Sequence, residues 1–184
     1  MSFKAGLVGY GAGGRIFHAP LLHAAGIDLA AIASSRADEI ARDHPSATAY
    51  PTAQQLFADT SLDLVIITTP SPTHAALAIE ALQAGHNVVV DKPFAGSVEE
   101  ADQVIEAAKA AGKLVSCFQN RRWDSDFLTL KDLIARGVLG EVHHLHSSFS
   151  FYKPEPPSSW HNQALNAVGI HFDLGTHLLD QIVQ

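Results

Sequence analysis

Gly9-Tyr10-Gly11-Ala12-Gly13-Gly14 follows directly on the apolar run Phe3–Val8, and Arg15-Ile16-Phe17 behind it opens a helical pattern. A strand, a glycine turn and a helix in that order decide the fold. Gly9, Gly11 and Gly14 fit G-x-G-x-x-G, in which each glycine has its own task. The first allows a tight turn, the second lets a pyrophosphate lie against bare backbone, and the third lets the helix pack close on the strand. The helix start offers unpaired N–H groups and a partial positive charge to phosphates. A glycine cluster alone makes plain turns equally well. The flanking strand and helix favour the nucleotide reading.

Outward from the turn, apolar runs alternate with helical patterns. Phe3–Val8, Leu29–Ala33, Leu64–Thr68, Val88–Val90 and Leu114–Phe118 read as strands; Arg15–Ala24, Arg36–Arg42, Thr52–Ala58, Thr73–Ala84 and Ser97–Ala111 read as helices. Near-continuous apolar strands in βαβ alternation predict an α/β fold, a Rossmann-type doubly wound parallel sheet covered on both faces. Gly85 and Gly112 stand where left-handed helix caps belong, and Ser97 with Glu100 forms a capping box.

The character changes near residue 120. Leu128–Ala135 reads as a helix, Glu141–Tyr152 as a long strand, Lys153-Pro154-Glu155-Pro156-Pro157 as a rigid loop, and His171–Val183 as a helix. The expected organisation is a dinucleotide-binding domain over 1–120 and the incomplete beginning of a second domain over 121–184. One strand and one or two helices are too few for a sheet-based core, so the chain reads as a fragment or as a piece completed elsewhere.

Composition narrows the function classes. Of 184 residues, 47% are hydrophobic and 17% charged, an ordinary globular balance; twelve basic against nineteen acidic residues give a net charge of −7. That argues against a nucleic-acid surface, which needs clustered Lys and Arg. The single cysteine, Cys117, rules out an internal disulfide and reads as buried and inert. No run approaches the ~20 apolar residues of a membrane span, and the first residues do not read as a signal peptide. A cytoplasmic protein with a small-molecule partner is the expectation.

In a doubly wound sheet, ligands lie beyond the carboxyl ends of the strands. The residues expected to meet the cofactor are therefore Gly9, Tyr10, Gly11, Gly13, Gly14, Arg15 and Ile16 in the first loop. Ser34, Ser35 and Arg36 follow the second strand, and Thr69, Pro70, Ser71 and His74 follow Leu64–Thr68. Asp91 and Lys92 follow Val88–Val90, and Asn120 and Arg122 follow the last strand. Ser34-Ser35-Arg36 occupies the place where an acid would read a ribose 2′-hydroxyl; hydroxyls with a guanidinium suit a 2′-phosphate, which favours NADP over NAD.

Lys92 at a strand end, with Pro93 fixing the turn, is placed to exchange a proton with a substrate hydroxyl; a surface lysine paired with Asp91 is the plainer alternative. Asp173 and His177, four residues apart, share a face on a helix, and an imidazole so placed is a suitable base. An unrelated acid and histidine fit the same spacing. A metal site recruiting His161, His171, Asp173 and His177 is disfavoured because no tight ligand spacing marks it. His143, His144 and His146 read as a polar sheet face rather than ligands.

Taken together, Gly9–Pro20 (GYGAGGRIFHAP), Thr69–His74 (TPSPTH), Val88–Pro93 (VVVDKP), Gln119–Phe127 (QNRRWDSDF) and Asp173–Gln181 (DLGTHLLDQ) resemble the Gfo/Idh/MocA family of NAD(P)-dependent oxidoreductases. The resemblance runs in the family's order from residue 5 to 181. It implies Lys92, Asp173 and His177 as catalytic residues, with hydride transfer between NAD(P) and a hydroxyl-bearing carbon of a sugar, polyol, inositol or diol. It also implies a C-terminal domain with a large, mostly antiparallel sheet, and a homo-oligomer if that sheet is present. Asp91 stands where the family usually has Glu. The glycine-rich approach to the last helix is reduced to Val168-Gly169-Ile170-His171-Phe172, and family members are roughly twice this length, the size of two ordinary domains. An NAD(P)-binding regulatory or inactive fragment and a metal-dependent hydrolase are the alternative readings.

Overall fold

The computed structural model describes residues 2–152, Pro154 and 167–184. The chain divides into two compact units, Met1–Phe118 and Gln119–Gln184. In the first, six strands form one sheet: β1 (Lys4–Val8), β2 (Asp28–Ala33), β3 (Thr48–Tyr50), β4 (Leu64–Ile67), β5 (Asn87–Val90) and β6 (Val115–Cys117). Their order is β3-β2-β1-β4-β5-β6, and every pairing is parallel. Strand order therefore reverses between β1 and β4, which opens a crevice at their carboxyl ends.

Helices α1 (Ala19–Ala24), α2 (Ala37–Asp43), α3 (Ala53–Phe57), α4 (His74–Gln83) and α5 (Val98–Ala111) join these strands. Alternate residues of each strand feed opposite faces. Leu7, Ile32 and Ile66 pack with Leu22 and Ile40 of α1 and α2. Ala31, Ala33, Val65, Ile67, Val88 and Val90 pack with Leu56, Ala78, Leu82, Val104 and Ala108 of α3–α5. Burying each large aliphatic side chain there contributes about 1.5–3 kcal/mol. Gly112 adopts the left-handed cap conformation after α5 (φ +63°). At the other end of α5 the Ser97 hydroxyl accepts from the Glu100 amide at 3.2 Å, while the Glu100 carboxylate accepts from the Gly96 amide, one residue further out than a capping box requires.

The second unit holds α6 (Ser125–Ala135) and α7 (Thr176–Val183), the latter preceded by a π-helical turn at His171–Gly175. Among the described residues the expected antiparallel sheet is not there. Residues 141–152, read as a long strand, form no strand, and the sheet is parallel throughout, β6 included. A strand exists through its ladder partners; this segment finds none among the described residues and lies mostly exposed. Apart from Pro154, the Pro-rich loop lies outside the described residues.

Candidate active site

The glycine turn sits at the carboxyl end of β1, in the crevice. Gly9 has φ +98°, and a Cβ there would lie 2.9 Å from the Thr68 carbonyl. The Gly9 amide donates to Ala33 O at 2.9 Å, and the Thr68 hydroxyl donates to Gly9 O at 2.8 Å, tying the turn to both neighbouring strand ends. A Cβ on Gly14 would strike Gly9 O and stand 3.3 Å from Leu7 Cδ2, so the helix start can press onto β1 only without a side chain. At Gly11 no protein atom comes within 4 Å of that position. This open, bare-backbone face over a helix start fits a pyrophosphate.

The helix begins as a π-helical turn, Gly13–His18, before α1. Ile16 points outward, 60% exposed. Tyr10 belongs to the core: it is 2% exposed, and its hydroxyl donates to Asp43 at 3.1 Å. Burial, then the Asp43 contact, pushes its phenol above the ordinary value. Behind β2, the Ser34 hydroxyl accepts from the Arg36 amide. Arg36 and Arg15 both donate to Glu39, at 2.9 and 3.0 Å, and Arg36 above all holds that carboxyl below its usual range.

On the next strand end, Asp91-Lys92-Pro93 follows β5, with the Lys92–Pro93 peptide cis. The Asp91 carboxylate bridges this turn to the glycine loop. Its Oδ1 accepts from the Lys92 amide at 2.8 Å, and its Oδ2 fills the space that a Cβ on Gly13 would enter, 2.9 Å away. The plainer reading of Lys92 as a partner of Asp91 thus has a backbone counterpart. His74, at the start of α4, is 1% exposed, and its ring lies between two carbonyls, Pro93 O at 2.7 Å from Nδ1 and Thr69 O at 2.8 Å from Nε2. Pro70 precedes the 3₁₀ turn Ser71–Thr73, in which Ser71 is buried.

His18 was not among the residues singled out from the sequence, although it stands inside the Gly9–Pro20 motif. It is 3% exposed and packs on Phe118 at a 44° tilt, with ring centroids 4.1 Å apart. Its Nε2 lies 3.6 Å from Asp91 Oδ2, beyond hydrogen-bond length, and has no hydrogen-bond partner among the described residues. Spacing gave no hint of it, because the contact joins the end of one helix turn to a strand end 73 residues later.

The second unit gathers its motifs around α7. Asp173 is half-buried in the π-helical turn, and His177, 5% exposed, lies in the first turn of α7. Arg122 grips the buried Asp180 through two bonds, Nε–Oδ2 at 2.7 Å and Nη2–Oδ1 at 2.6 Å. Gln181 donates to Arg121 O at 2.9 Å. Asn120 and Arg122 belong to the 3₁₀ turn Asn120–Trp123, so α7 is pinned to that turn. Among the described residues no three His, Cys, Asp or Glu side chains converge as metal ligands; His161 lies outside those residues. No helix among them is long and apolar enough to cross a membrane.

Comparison with known proteins agrees with this geometry. The model of an oxidoreductase family with an NAD-binding Rossmann fold, GFO_IDH_MocA, matches residues 3–119, and that of a GFO/IDH/MocA C-terminal domain matches residues 127–184. The chain is 45% identical over 183 residues to the uncharacterized oxidoreductase YdgJ of Escherichia coli (strain K12), covering 99% of this chain and 53% of the relative. It is 38% identical over 181 residues to the scyllo-inositol 2-dehydrogenase (NADP(+)) IolW of Bacillus subtilis (strain 168), covering 98% and 51%. A solved structure of YPO2259 from Yersinia pestis superimposes with a TM-score of 0.92 at 48% identity, covering all of this chain and 52% of the other. The chain spans about half the length of these relatives.

Proposed function

The chain belongs to the Gfo/Idh/MocA family of NAD(P)-binding oxidoreductases, and from that premise we propose that it serves hydride transfer between NADP(H) and a hydroxyl-bearing carbon of a polyol, inositol or sugar. The observation that carries the reading is the bridge made by Asp91. It places the turn bearing Lys92 directly against a glycine loop shaped for a pyrophosphate. A chain that only stored a nucleotide would need the loop but not a lysine fixed beside it.

Bound there, the nicotinamide would accept or supply the hydride. The chain's own part is to bind, orient and move a proton. The bare backbone at Gly11 and the helix start at Gly13 receive the phosphates. Ser34, Ser35 and Arg36 meet the ribose end, and the Arg36 guanidinium, with Arg15 beside it on Glu39, suits a 2′-phosphate. The NADP(+) in the name of IolW supports the same choice for that relative. As the carbinol C–H leaves as hydride, its hydroxyl proton passes to Lys92 Nζ in the oxidation direction and returns from it in reduction. Asp173 and His177 are proposed as the acid that orients and the base that shares this proton work, a role taken from their match to the family's motif.

The test is nicotinamide reduction followed by absorbance, with this chain, NADP⁺ and a panel of scyllo-inositol, myo-inositol and simple sugars. Turnover with at least one of them is expected, and it should be lost in Lys92→Ala. A chain that binds NADPH yet turns over none of the panel would contradict the catalytic reading and favour a nucleotide-binding regulator.

A further inference from the structure

We propose that His74 is a positioning residue for Lys92, its ring spanning the backbone carbonyls of the two loops that follow β4 and β5. The ring stands between Pro93 O, 2.7 Å from Nδ1, and Thr69 O, 2.8 Å from Nε2. Whichever nitrogen carries the N–H, the ring lies against a carbonyl of each loop. At 1% exposure its hydrogen bond is shielded from solvent, and a buried polar group left unpaired costs more than a made bond returns.

The two carbonyls follow β4, which flanks the crevice, and its neighbour β5. Thr69 leaves β4 and Pro93 closes the turn after β5, so one ring fastens the loop beside the glycine turn to the peptide that carries Lys92. Thr69 is held again from its other side, where its hydroxyl and that of Thr73 lie 2.7 Å apart. Asp91 secures the amide side of Lys92, and His74 secures the carbonyl side through Pro93. His86 shows what a structural counterpart looks like. It lies between Phe57 O at 2.8 Å and Leu62 O at 3.3 Å, at the amino end of β5.

This inference rests on the reading of Lys92 as the proton-transfer residue, and the test separates the two. In His74→Ala, the amides of Asp91, Lys92 and Phe94 should exchange about 10-fold faster, the loss of one buried hydrogen bond, while Gly9 is unchanged. His74→Gln, which keeps a two-hydrogen donor, should recover most of the protection. His86→Gln should lower thermal stability without moving exchange at 91–94. Acceleration spread evenly over the sheet would show a merely structural role and overturn the proposal. Where turnover is measurable, His74→Ala should reduce kcat by about 10²-fold with the KM for NADPH nearly unchanged; an unchanged kcat would overturn it. If no substrate turns over, the reading of Lys92 fails by itself, and the exchange still decides the clamp.

Discussion

Gly11 and Gly14 lack the same side chain for different reasons, and substitution separates them. At Gly14 an added methyl meets the Gly9 carbonyl and Leu7. Gly14→Ala should therefore cost about 1–3 kcal/mol of stability and weaken cofactor binding with it, seen as a lower unfolding midpoint. At Gly11 the methyl meets no protein atom within 4 Å. Gly11→Ala should leave stability within about 0.5 kcal/mol, yet reduce NADPH affinity, because the space it fills is the ligand's. Equal losses of stability in both variants would contradict that division. Lys92→Ala should bind NADPH normally while turnover falls about 10²–10⁴-fold, the usual worth of a positioned acid–base group. Arg36→Ala should narrow the preference for NADPH over NADH about tenfold, the loss of one charged contact; an unchanged ratio would remove Arg36 from the 2′-phosphate.

At the scale of elements, the grip of Arg122 on Asp180 holds α7, and with it His177, to the turn at Asn120–Trp123. Asp180→Ala should loosen the second unit by about 1–3 kcal/mol, with Arg122 half in solvent. Faster proteolysis within α7 and unchanged exchange in β1 would be the signature. Five of the six strands could be read from the sequence because each is an apolar run between turn residues. β3 escaped because Thr48–Tyr50 is three residues long and mostly exposed, so it carries no run of apolar residues to read. Residues 141–152 failed in the opposite direction. Their alternation is real, but a pattern cannot supply the neighbouring strand that would make it a ladder. The glycine turn and the Asp91-Lys92-Pro93 turn were legible as local motifs. His18 and the double contact of His74 were not, because both depend on which strand ends become neighbours.

For the whole molecule, the charge pattern sets a pH response. Glu39, Asp43 and Asp59 all have carboxyls held below the ordinary value, the first mainly by Arg36, the second by Arg42 and the third by the Ser61 hydroxyl. A depressed carboxyl contributes stability that is complete above its unfolded value and lost as pH falls through the folded one. Unfolding midpoints should thus be flat above about pH 5 and decline as pH falls below about 4; a decline beginning near neutrality would implicate other groups. The account as a whole stands on one claim, that the glycine turn at the β1–β4 crevice of this chain holds a dinucleotide. Titration of the chain with NADPH and NADH, followed by nicotinamide fluorescence, tests it most directly. Saturable binding of both is expected, tighter for NADPH and weakened in Gly11→Ala without loss of fold. Failure of the folded chain to bind either nucleotide would contradict it.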